Sequence, residues 1–135
     1  MYMVDRFKNV VIVRPRSVVT RHIRFDGRVI AGMFSIFWGN IEADEVYLSK
    51  GCRVNGEIIC RKAVIGAYNV FNRVYASELV IVQNRCVGNE IRAKNVYITS
   101  ESVIKSVTAD ERIVIDGSSR LGKLNARRII ALKRH

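Results

Sequence analysis

Residues 41–48 decide the fold, and they read Ile41-Glu42-Ala43-Asp44-Glu45-Val46-Tyr47-Leu48. The phrase consists of an apolar residue, a small residue two positions later, and apolar residues three and five positions beyond the small one. It recurs, sometimes loosely, from residues 58, 74, 91, 107 and 124, so that successive copies start 17, 16, 17, 16 and 17 residues apart. Self-similarity at such a steady period indicates a repeat protein.

A repeat of this length favours a β-helix over a helical solenoid. Two helices per repeat need at least about 30 residues, whereas 16 or 17 residues suffice for three short strands and three bends. Within each copy the apolar residues lie two positions apart, which is typical of a strand with one buried face. We therefore predict an all-β fold, a single-stranded, three-faced β-helix of about six to seven coils of 16–17 residues. The first clear coil is expected to contain strands near residues 41–43, 46–48 and 54–56.

Stacked coils place each residue on its equivalent in the next coil, because neighbouring hydrogen-bonded strands lie about 4.8 Å apart. One column is small throughout and is expected at a tight corner: Ala43, Cys60, Ala76, Ala93, Ala109 and Ala126. Two larger columns are expected to fill the core: Val46, Ala63, Leu79, Val96 and Ile113, and Leu48, Ile65, Ile81, Ile98 and Ile115. An apolar residue four positions before each start predicts a third strand per coil: Phe37, Val54, Val70, Val87 and Val103.

Charges at the corners alternate in sign from coil to coil. Directly after the small column the chain reads Asp44-Glu45, Arg61-Lys62, Ser77-Glu78, Lys94-Asn95, Asp110-Glu111 and Arg127-Arg128. A second corner carries the weaker series Asn40, Glu57, Arg73, Glu90, Ser106 and Lys123. Alternation brings opposite charges together at the spacing of paired strands, so both series support the predicted register.

Two fragments at this second corner resemble the bactofilin family of polymer-forming cytoskeletal proteins. They are Val54-Asn55-Gly56-Glu57-Ile58 and Val87-Gly88-Asn89-Glu90-Ile91, and with the period and the small column the resemblance covers roughly residues 23–132. It implies a right-handed β-helix that assembles end to end into filaments and uses neither a nucleotide nor catalytic residues. The chain departs from the family's Gly-acid-Ile step at Asn72 and Lys105, which replace the corner glycine in two coils.

The chain is expected to form one domain over residues 1–135, with an N-terminal cap and first strands at 1–22, coils at 23–132 and a basic tail at 133–135. The apolar run 10–13 ends at Arg14, far short of the about 18 residues that a membrane span requires, and no secretory signal is visible. Three cysteines without a Cys-x-x-Cys motif favour a reduced, cytoplasmic protein. Sixteen arginines and one glutamine suggest a thermophilic source.

Two sets of outward residues are candidate contact surfaces. The outward position of the second strand is apolar in successive coils and predicts a nearly flat lateral interface, although the strand propensity of Val and Tyr alone also accounts for it. Its residues are Tyr47, Val64, Val80, Tyr97 and Val114. The segment around Phe34, Ile36 and Trp38 holds more large apolar residues than one inward strand uses. We expect this cluster either to be covered by the N-terminal segment or to contact another molecule.

The net charge of +11 is confined to the two ends of the rod. Residues 41–117 hold ten basic and ten acidic residues, residues 1–40 carry +5, and residues 118–135 carry +6. Basic clusters at the two ends are candidate contacts for nucleic acid or another polyanion. They contain Arg14, Arg16, Arg21, Arg24, Arg127, Arg128, Lys133 and Arg134.

Sequence support for catalysis is weak. His22 and His135 lie towards the two termini without a neighbouring base, triad or metal motif, and no phosphate-binding glycine loop is present. We expect no enzyme activity, no cofactor and no metal. The leading hypothesis is a structural β-helix that self-associates into filaments or a scaffold, as the bactofilin resemblance implies. The alternative hypothesis is a basic module, of viral or archaeal origin, that binds nucleic acid or another polyanion.

Overall fold

The chain winds into stacked parallel coils, as the repeat predicts. The computed structural model describes residues 2–132, which form a β-solenoid of about seven turns without a helix. Within these residues only β1 runs antiparallel to its neighbour, and the other strands pair in parallel with the coils before and after them. The strands are β1 (Tyr2–Asp5), β2 (Val10–Val13), β3 (Val18–Val19), β4 (Ile23–Ala31), β5 (Ile36–Phe37), β6 (Ile41–Leu48), β7 (Arg53–Ile65), β8 (Val70–Val82), β9 (Val87–Ile98), β10 (Val103–Asp116), β11 (Arg120–Asn125) and β12 (Arg128–Leu132).

Most strands continue around the corners of the coil. β7, for example, begins as the third strand of one coil and runs on through the first two strands of the next coil. The coils therefore have three sides, which we name the first, second and third faces after residues 41–43, 45–48 and 53–54. The three strands predicted for this coil are confirmed.

The predicted vertical columns build much of the core. On the first face the backbone pairs each inward residue with its equivalent in the next coil, and these residues are all 0 % exposed: Ile41, Ile58, Val74, Ile91 and Val107. Beside them, four members of the small column are buried: Cys60, Ala76, Ala93 and Ala109. Each side chain packs against its own equivalents above and below, which is how a solenoid buries apolar surface without a globular centre.

The second face departs from the predicted register in one coil. The sequence pattern places Leu79 and Ile81 in the core, but the structure pairs Ala63 with Val80, and Val80 is 0 % exposed. The strand accommodates one extra residue after Ala76, so that the register shifts as it does at a β-bulge. The prediction of Val80 as an outward interface residue is therefore wrong, and Ile81 occupies that outward position.

The third face differs from the prediction in three coils. Val54 pairs with Phe71 rather than with Val70, and Val87 and Val103 are 48 % and 44 % exposed. The inward positions belong to the following residue of each coil, namely Phe71, Gly88 and Ile104. The Phe71 ring fills the space beside Gly88, where a Cβ atom would overlap it. A large residue therefore compensates for a missing side chain in the next coil, and the column stays filled.

The corner between the second and third faces contains a buried column of small polar residues that the apolar pattern does not predict. The column consists of Ser35, Cys52, Asn69, Cys86 and Ser102, all at most 1 % exposed. Each side chain donates a hydrogen bond to a corner carbonyl of the preceding coil. Cys52 Sγ, for example, lies 3.2 Å from Gly32 O, and Ser102 Oγ lies 3.2 Å from Gln83 O. Neighbouring coils are thereby joined by buried hydrogen bonds, which satisfy most of these polar groups, whereas Asn69 Oδ1 has no partner among the described residues.

The residue before each member of this polar column has a left-handed backbone conformation. Its φ is 60° at Phe34, 59° at Tyr68 and 59° at Arg85, although only glycine adopts such values without a steric cost. Contacts between coils compensate for this cost. The guanidinium of Arg16 lies 5.5 Å from the Phe34 ring centroid, and that of Arg85 lies 5.6 Å from the Tyr68 ring and 2.5 Å from Glu101.

The two corner series of charges form ion pairs between coils. At the first corner Arg61 binds Asp44 of the coil below at 3.1 Å and Glu78 of the coil above at 2.7 Å. Hydrogen bonds to these two carboxylates hold the pKa of Arg61 above its ordinary value. At the second corner Arg73 lies 3.8 Å from Glu57. The alternating signs therefore mark the register of the coils, as the sequence predicts.

Candidate interaction surfaces

One outward column on the second face is apolar along nearly the full height of the solenoid. Backbone pairing supplies one residue from each rung, and we call the column the apolar ladder: Ile12, Ile30, Tyr47, Val64, Ile81, Tyr97, Val114 and Ile130. Four of the five residues predicted for a lateral interface belong to it, and it extends beyond the predicted stretch in both directions. An uninterrupted apolar strip on a surface is typical of a contact site.

The two tyrosines of the apolar ladder have hydroxyl partners within the chain. Tyr47 Oη donates to a Glu45 carboxylate oxygen, and Tyr97 Oη donates to Asp116 Oδ2 at 2.8 Å. The hydrogen bond to Glu45 raises the pKa of the Tyr47 phenol above its ordinary value. Because both hydroxyls are satisfied, covering the rings with a dry partner leaves no buried donor unpaired.

Two polar columns flank the apolar ladder. The leading column lies two residues before it and consists of Arg28, Glu45, Lys62, Leu79, Asn95, Arg112 and Arg128. The trailing column lies two residues after it and consists of Arg14, Gly32, Ser49, Gly66, Gln83, Thr99, Asp116 and Leu132. The leading column holds four cations and one anion, whereas the trailing column holds one cation, in its first rung, and one anion. The two sides of the ladder therefore differ in charge.

The outward columns of the other two faces are interrupted by charged residues. The first face presents Arg24, Glu42, Ile59, Tyr75, Arg92, Thr108 and Asn125. The third face presents Val18, Ile36, Arg53, Val70, Val87, Val103 and Arg120. An open groove of about 650 Å³ crosses the first face beside Ile59, Tyr75 and Arg92. Among residues 2–132, the second face alone presents an outward column without a charge.

The predicted apolar cluster is divided between a corner and the third face. Phe34 lies at the corner beneath Arg16 and is 44 % exposed, whereas Ile36 and Trp38 face outward from the third face. Trp38 is 60 % exposed, because β1 pairs with β2 at the edge of the second face. The expectation that the N-terminal segment covers the cluster is therefore wrong, and contact with another molecule stays a prediction.

The two ends of the solenoid differ in how their core is covered. At the N-terminal end β1 pairs with β2, and Val11, Val13 and Val19 are at most 3 % exposed. At the C-terminal end β11 and β12 pair only with β10 among the described residues. Ile129 is 46 % exposed although Ile113, its equivalent in the coil before, is 0 % exposed. The last coil therefore exposes core side chains together with unpaired strand edges.

The basic residues predicted at the N-terminal end do not form one patch. Arg14 and Arg16 lie near the corner between the second and third faces, whereas Arg21 lies between the third face and the first. Arg24 faces outward from the first face and pairs with Glu42 at 3.5 Å. The four cations are thus distributed around the first coils.

Four described cations belong to the last coil, and they are Arg120, Lys123, Arg127 and Arg128. None of them forms an ion pair with another residue in the range 2–132, although nine ion-pair contacts occur elsewhere in that range. Lys133 and Arg134, which were also predicted as polyanion contacts, lie outside the described residues. The open end is therefore surrounded by positive charge without a neutralising partner in the described part of the chain.

The reactive side chains have structural surroundings. His22 Nδ1 accepts a hydrogen bond from the backbone nitrogen of Asn40 at 2.8 Å. Cys52, Cys60 and Cys86 are free and buried, and burial raises the pKa of Cys60 to about 12 and that of Cys86 to about 11. Residues 2–132 contain no group of three His, Cys, Asp or Glu side chains placed to hold a metal ion. The same residues include no apolar helix of membrane-spanning length.

The fold and these surfaces define the class of the protein as a parallel β-solenoid with a charge-free outward column and an open last coil. No family model, no curated protein and no solved structure matches the chain. The resemblance to bactofilins therefore stays a prediction that rests on the residues quoted above.

Proposed function

We propose that the protein is a non-catalytic structural β-helix that self-associates into filaments or a larger scaffold inside the cell, as bactofilins do. The open last coil carries this proposal. A parallel strand edge with free backbone groups is a template for further strands, and β11 and β12 present such edges. A second copy whose first coil stacks on this coil, through β3 and residues 23–25, which have no strand before them among residues 2–132, continues the core columns and supplies hydrogen-bond partners.

Burial on the last coil favours stacking only modestly. Leu121, Leu124 and Ile129 occupy inward positions and stay partly exposed, whereas the inward residues of interior coils are almost completely buried. Completing the burial of each side chain contributes roughly 1 kcal/mol, since full burial of such residues is worth about 1.5–3 kcal/mol. Association costs at least about 4 kcal/mol, so the side chains alone do not hold two copies together. The paired strand edges must contribute, and stacking should depend on protein concentration.

Charge opposes end-to-end contact at low ionic strength. Residues 1–40 carry +5 and residues 118–135 carry +6, so any pairing of ends brings like charges together. The screening length falls from about 10 Å in 0.1 M salt to about 3 Å in 1 M salt. Self-association should therefore strengthen as salt is added.

A matched pair of variants tests the open coil. Ile129→Arg places a charge on the exposed inward position of the last coil, and Val103→Arg places the same charge on the third face at nearly equal exposure, 46 % against 44 %. Electron microscopy and sedimentation velocity in about 0.1 M and about 1 M salt measure the assemblies. We expect assemblies for the unmodified chain and Val103→Arg, strongest in high salt, and none of comparable length for Ile129→Arg. Equal assembly of both variants, or a monomer under all conditions, would contradict the proposal.

The unpaired cations of the last coil favour a second candidate function, the binding of nucleic acid or another polyanion. Counterion release makes such binding weaken with salt, with a slope of log affinity against log salt of about −0.7 to −0.9 per neutralised phosphate. Fluorescence anisotropy with a labelled single-stranded DNA measures this slope. The two functions thus respond to salt with opposite sign. Salt-weakened DNA binding by a chain that forms no assemblies would support the second candidate and exclude the first.

A further inference from the structure

We infer that two copies pair side by side through the apolar ladder of the second face, about a two-fold axis parallel to the solenoid axis. The partner is a second copy of the chain, so the inference rests on the proposed self-association. The surface that it uses, the second face, is separate from the last coil. The pairing therefore provides a lateral contact in addition to end-to-end stacking.

The apolar ladder suits a sheet-on-sheet contact. Its eight residues lie on a parallel, hydrogen-bonded surface, one in each rung, and none of them is charged. The hydroxyls of Tyr47 and Tyr97 already have carboxylate partners within the chain. Two such surfaces can therefore approach to the about 10 Å that separates packed sheets without burying an unsatisfied donor from the ladder.

The area of the second face is large enough for a stable pair. Eight rungs at about 4.8 Å give a height of roughly 38 Å, and five residues of strand at about 3.3 Å give a width of roughly 16 Å. The product is roughly 600 Å² per copy, or about 1,200 Å² for the pair, which exceeds the about 1,000 Å² expected of a specific interface. A narrower strip, such as one face of two or three coils, would not reach this area.

The charges beside the ladder select the symmetry of the pair. A two-fold axis parallel to the solenoid axis places the leading column of one copy opposite the trailing column of the other, rung by rung. Lys62 then faces the uncharged Gly66, and Arg112 faces the rung of Asp116, whose carboxylate is 4 % exposed and accepts a hydrogen bond from Tyr97. An axis parallel to the strands instead places the leading column opposite itself in reversed order, which brings Arg28 near Arg112. Like charges at that spacing are unfavourable, so the parallel arrangement is preferred.

Parallel pairing has a consequence for assembly. Because the solenoid axes point in the same direction, the two open last coils lie at the same end of the pair. Each pair therefore presents two adjacent stacking sites, and an assembly built from pairs is held by two end contacts at each junction. Two weak contacts made together bind far more tightly than either alone.

The lateral contact is tested in full-length Ile129→Arg, in which stacking on the last coil is blocked, by sedimentation equilibrium. We compare Val64→Lys in the middle of the ladder with Val87→Lys on the third face, each added to this background. We expect the background and Val87→Lys to form dimers, and Val64→Lys to weaken the dimer at least tenfold. Circular dichroism checks that both lysine variants remain folded.

Cross-linking tests the symmetry. The parallel two-fold places residue 64 opposite its own equivalent, whereas the antiparallel one places it opposite residue 81. A bismaleimide that reaches about 8 Å suits two packed sheets about 10 Å apart. We expect Val64→Cys to yield at least tenfold more covalent dimer than Val87→Cys. The three native thiols are buried and stay protonated, because burial raises the pKa of Cys52, that of Cys60 to about 12 and that of Cys86 to about 11.

Three results would overturn the inference. A monomeric Ile129→Arg protein at about 100 μM, well above the Kd of a specific pair, would show that the face does not bind a second copy. Efficient cross-linking only in a mixture of Val64→Cys and Ile81→Cys would establish the antiparallel arrangement. Binding of the monomer to phosphatidylserine vesicles, lost in Val64→Lys, would assign the face to a membrane surface. A dimer of the unmodified chain that forms no end-to-end assemblies at any salt concentration would contradict the proposed stacking and leave the lateral contact intact.

Discussion

The N-terminal coil is bordered by an antiparallel strand, whereas the C-terminal coil keeps the parallel direction and has no covering strand among residues 2–132. Both coils carry apolar inward residues, yet Val13 is 0 % exposed and Ile129 is 46 % exposed. The difference shows that the repeat does not terminate itself. A coil is closed only where another strand or another molecule covers its edge, which makes the last coil the natural position for further growth.

The largest effect is expected from one substitution made in two adjacent coils of the same column. Ile113→Ala removes a completely buried side chain and should lower the free energy of unfolding by about 2–5 kcal/mol. Ile129→Ala removes its half-exposed equivalent and should cost less than about 1 kcal/mol in the monomer, since less apolar area is lost. Urea denaturation at low protein concentration measures both values.

Equal losses of unfolding free energy for Ile113→Ala and Ile129→Ala would show that the side chains of the last coil are as well buried as those of the coil before it. If the loss of unfolding free energy in Ile129→Ala grows with protein concentration, a second copy buries this residue, because association stabilises the folded state by mass action. Ile113→Ala should show no such dependence.

A smaller effect is expected from the corner arginines. Arg61 contacts Asp44 and Glu78 in the two neighbouring coils, whereas Arg127 has no ion-pair partner within the described chain. Arg61→Ala should lower the thermal midpoint slightly, and the difference should disappear in about 1 M salt, where exposed charges are screened. Arg127→Ala should leave the midpoint unchanged or raise it, since it relieves repulsion at the positive end. A greater loss for Arg127→Ala in differential scanning calorimetry would contradict this distinction.

The fold follows from the sequence where polarity alternates. In the phrase that begins at Ile41, Glu42 and the pair Asp44-Glu45 separate Ile41, Ala43 and Val46, so the inward residues of this stretch are unambiguous. The repeat does not identify the inward residues at positions 79–82, because Leu79, Val80, Ile81 and Val82 are all apolar. Either alternate pair can face the core, and one extra residue at the preceding corner selects Val80 and Val82. A one-residue slip reverses every side chain of a strand, and nothing in this run resists it.

The third face was misassigned for the same reason. Val70 and Phe71 are both apolar, and the corner that follows is one residue shorter than the corner after Val54. Counting back four positions therefore reaches the outward residue in the coils that start at residues 74, 91 and 107, although it reaches the buried Phe37 and Val54 in the two coils before them. The polar column from Ser35 to Ser102 was missed because the repeat was defined by apolar residues alone. Its signal is present in the sequence as a Ser, Cys or Asn every 16 or 17 residues.

The candidate surfaces were predictable to different degrees. The apolar ladder is visible as alternating residues in each second strand, and only its member in the slipped coil was assigned wrongly. The open end was not predictable, because the last coil has the same apolar pattern as the coils that are buried. Whether the side chains of the last coil are buried depends on which strand packs beyond that coil, and this is a property of the tertiary structure.

Hydrogen exchange measured at several protein concentrations tests the central claim most directly. If a second copy stacks on the last coil, the backbone amides of β11 and β12 should gain protection as concentration rises in high salt. The amides of β8 and β9, which are paired on both sides within one chain, should not change. Ile129→Arg should abolish the gain. Protection of β11 and β12 that is independent of concentration would contradict the account.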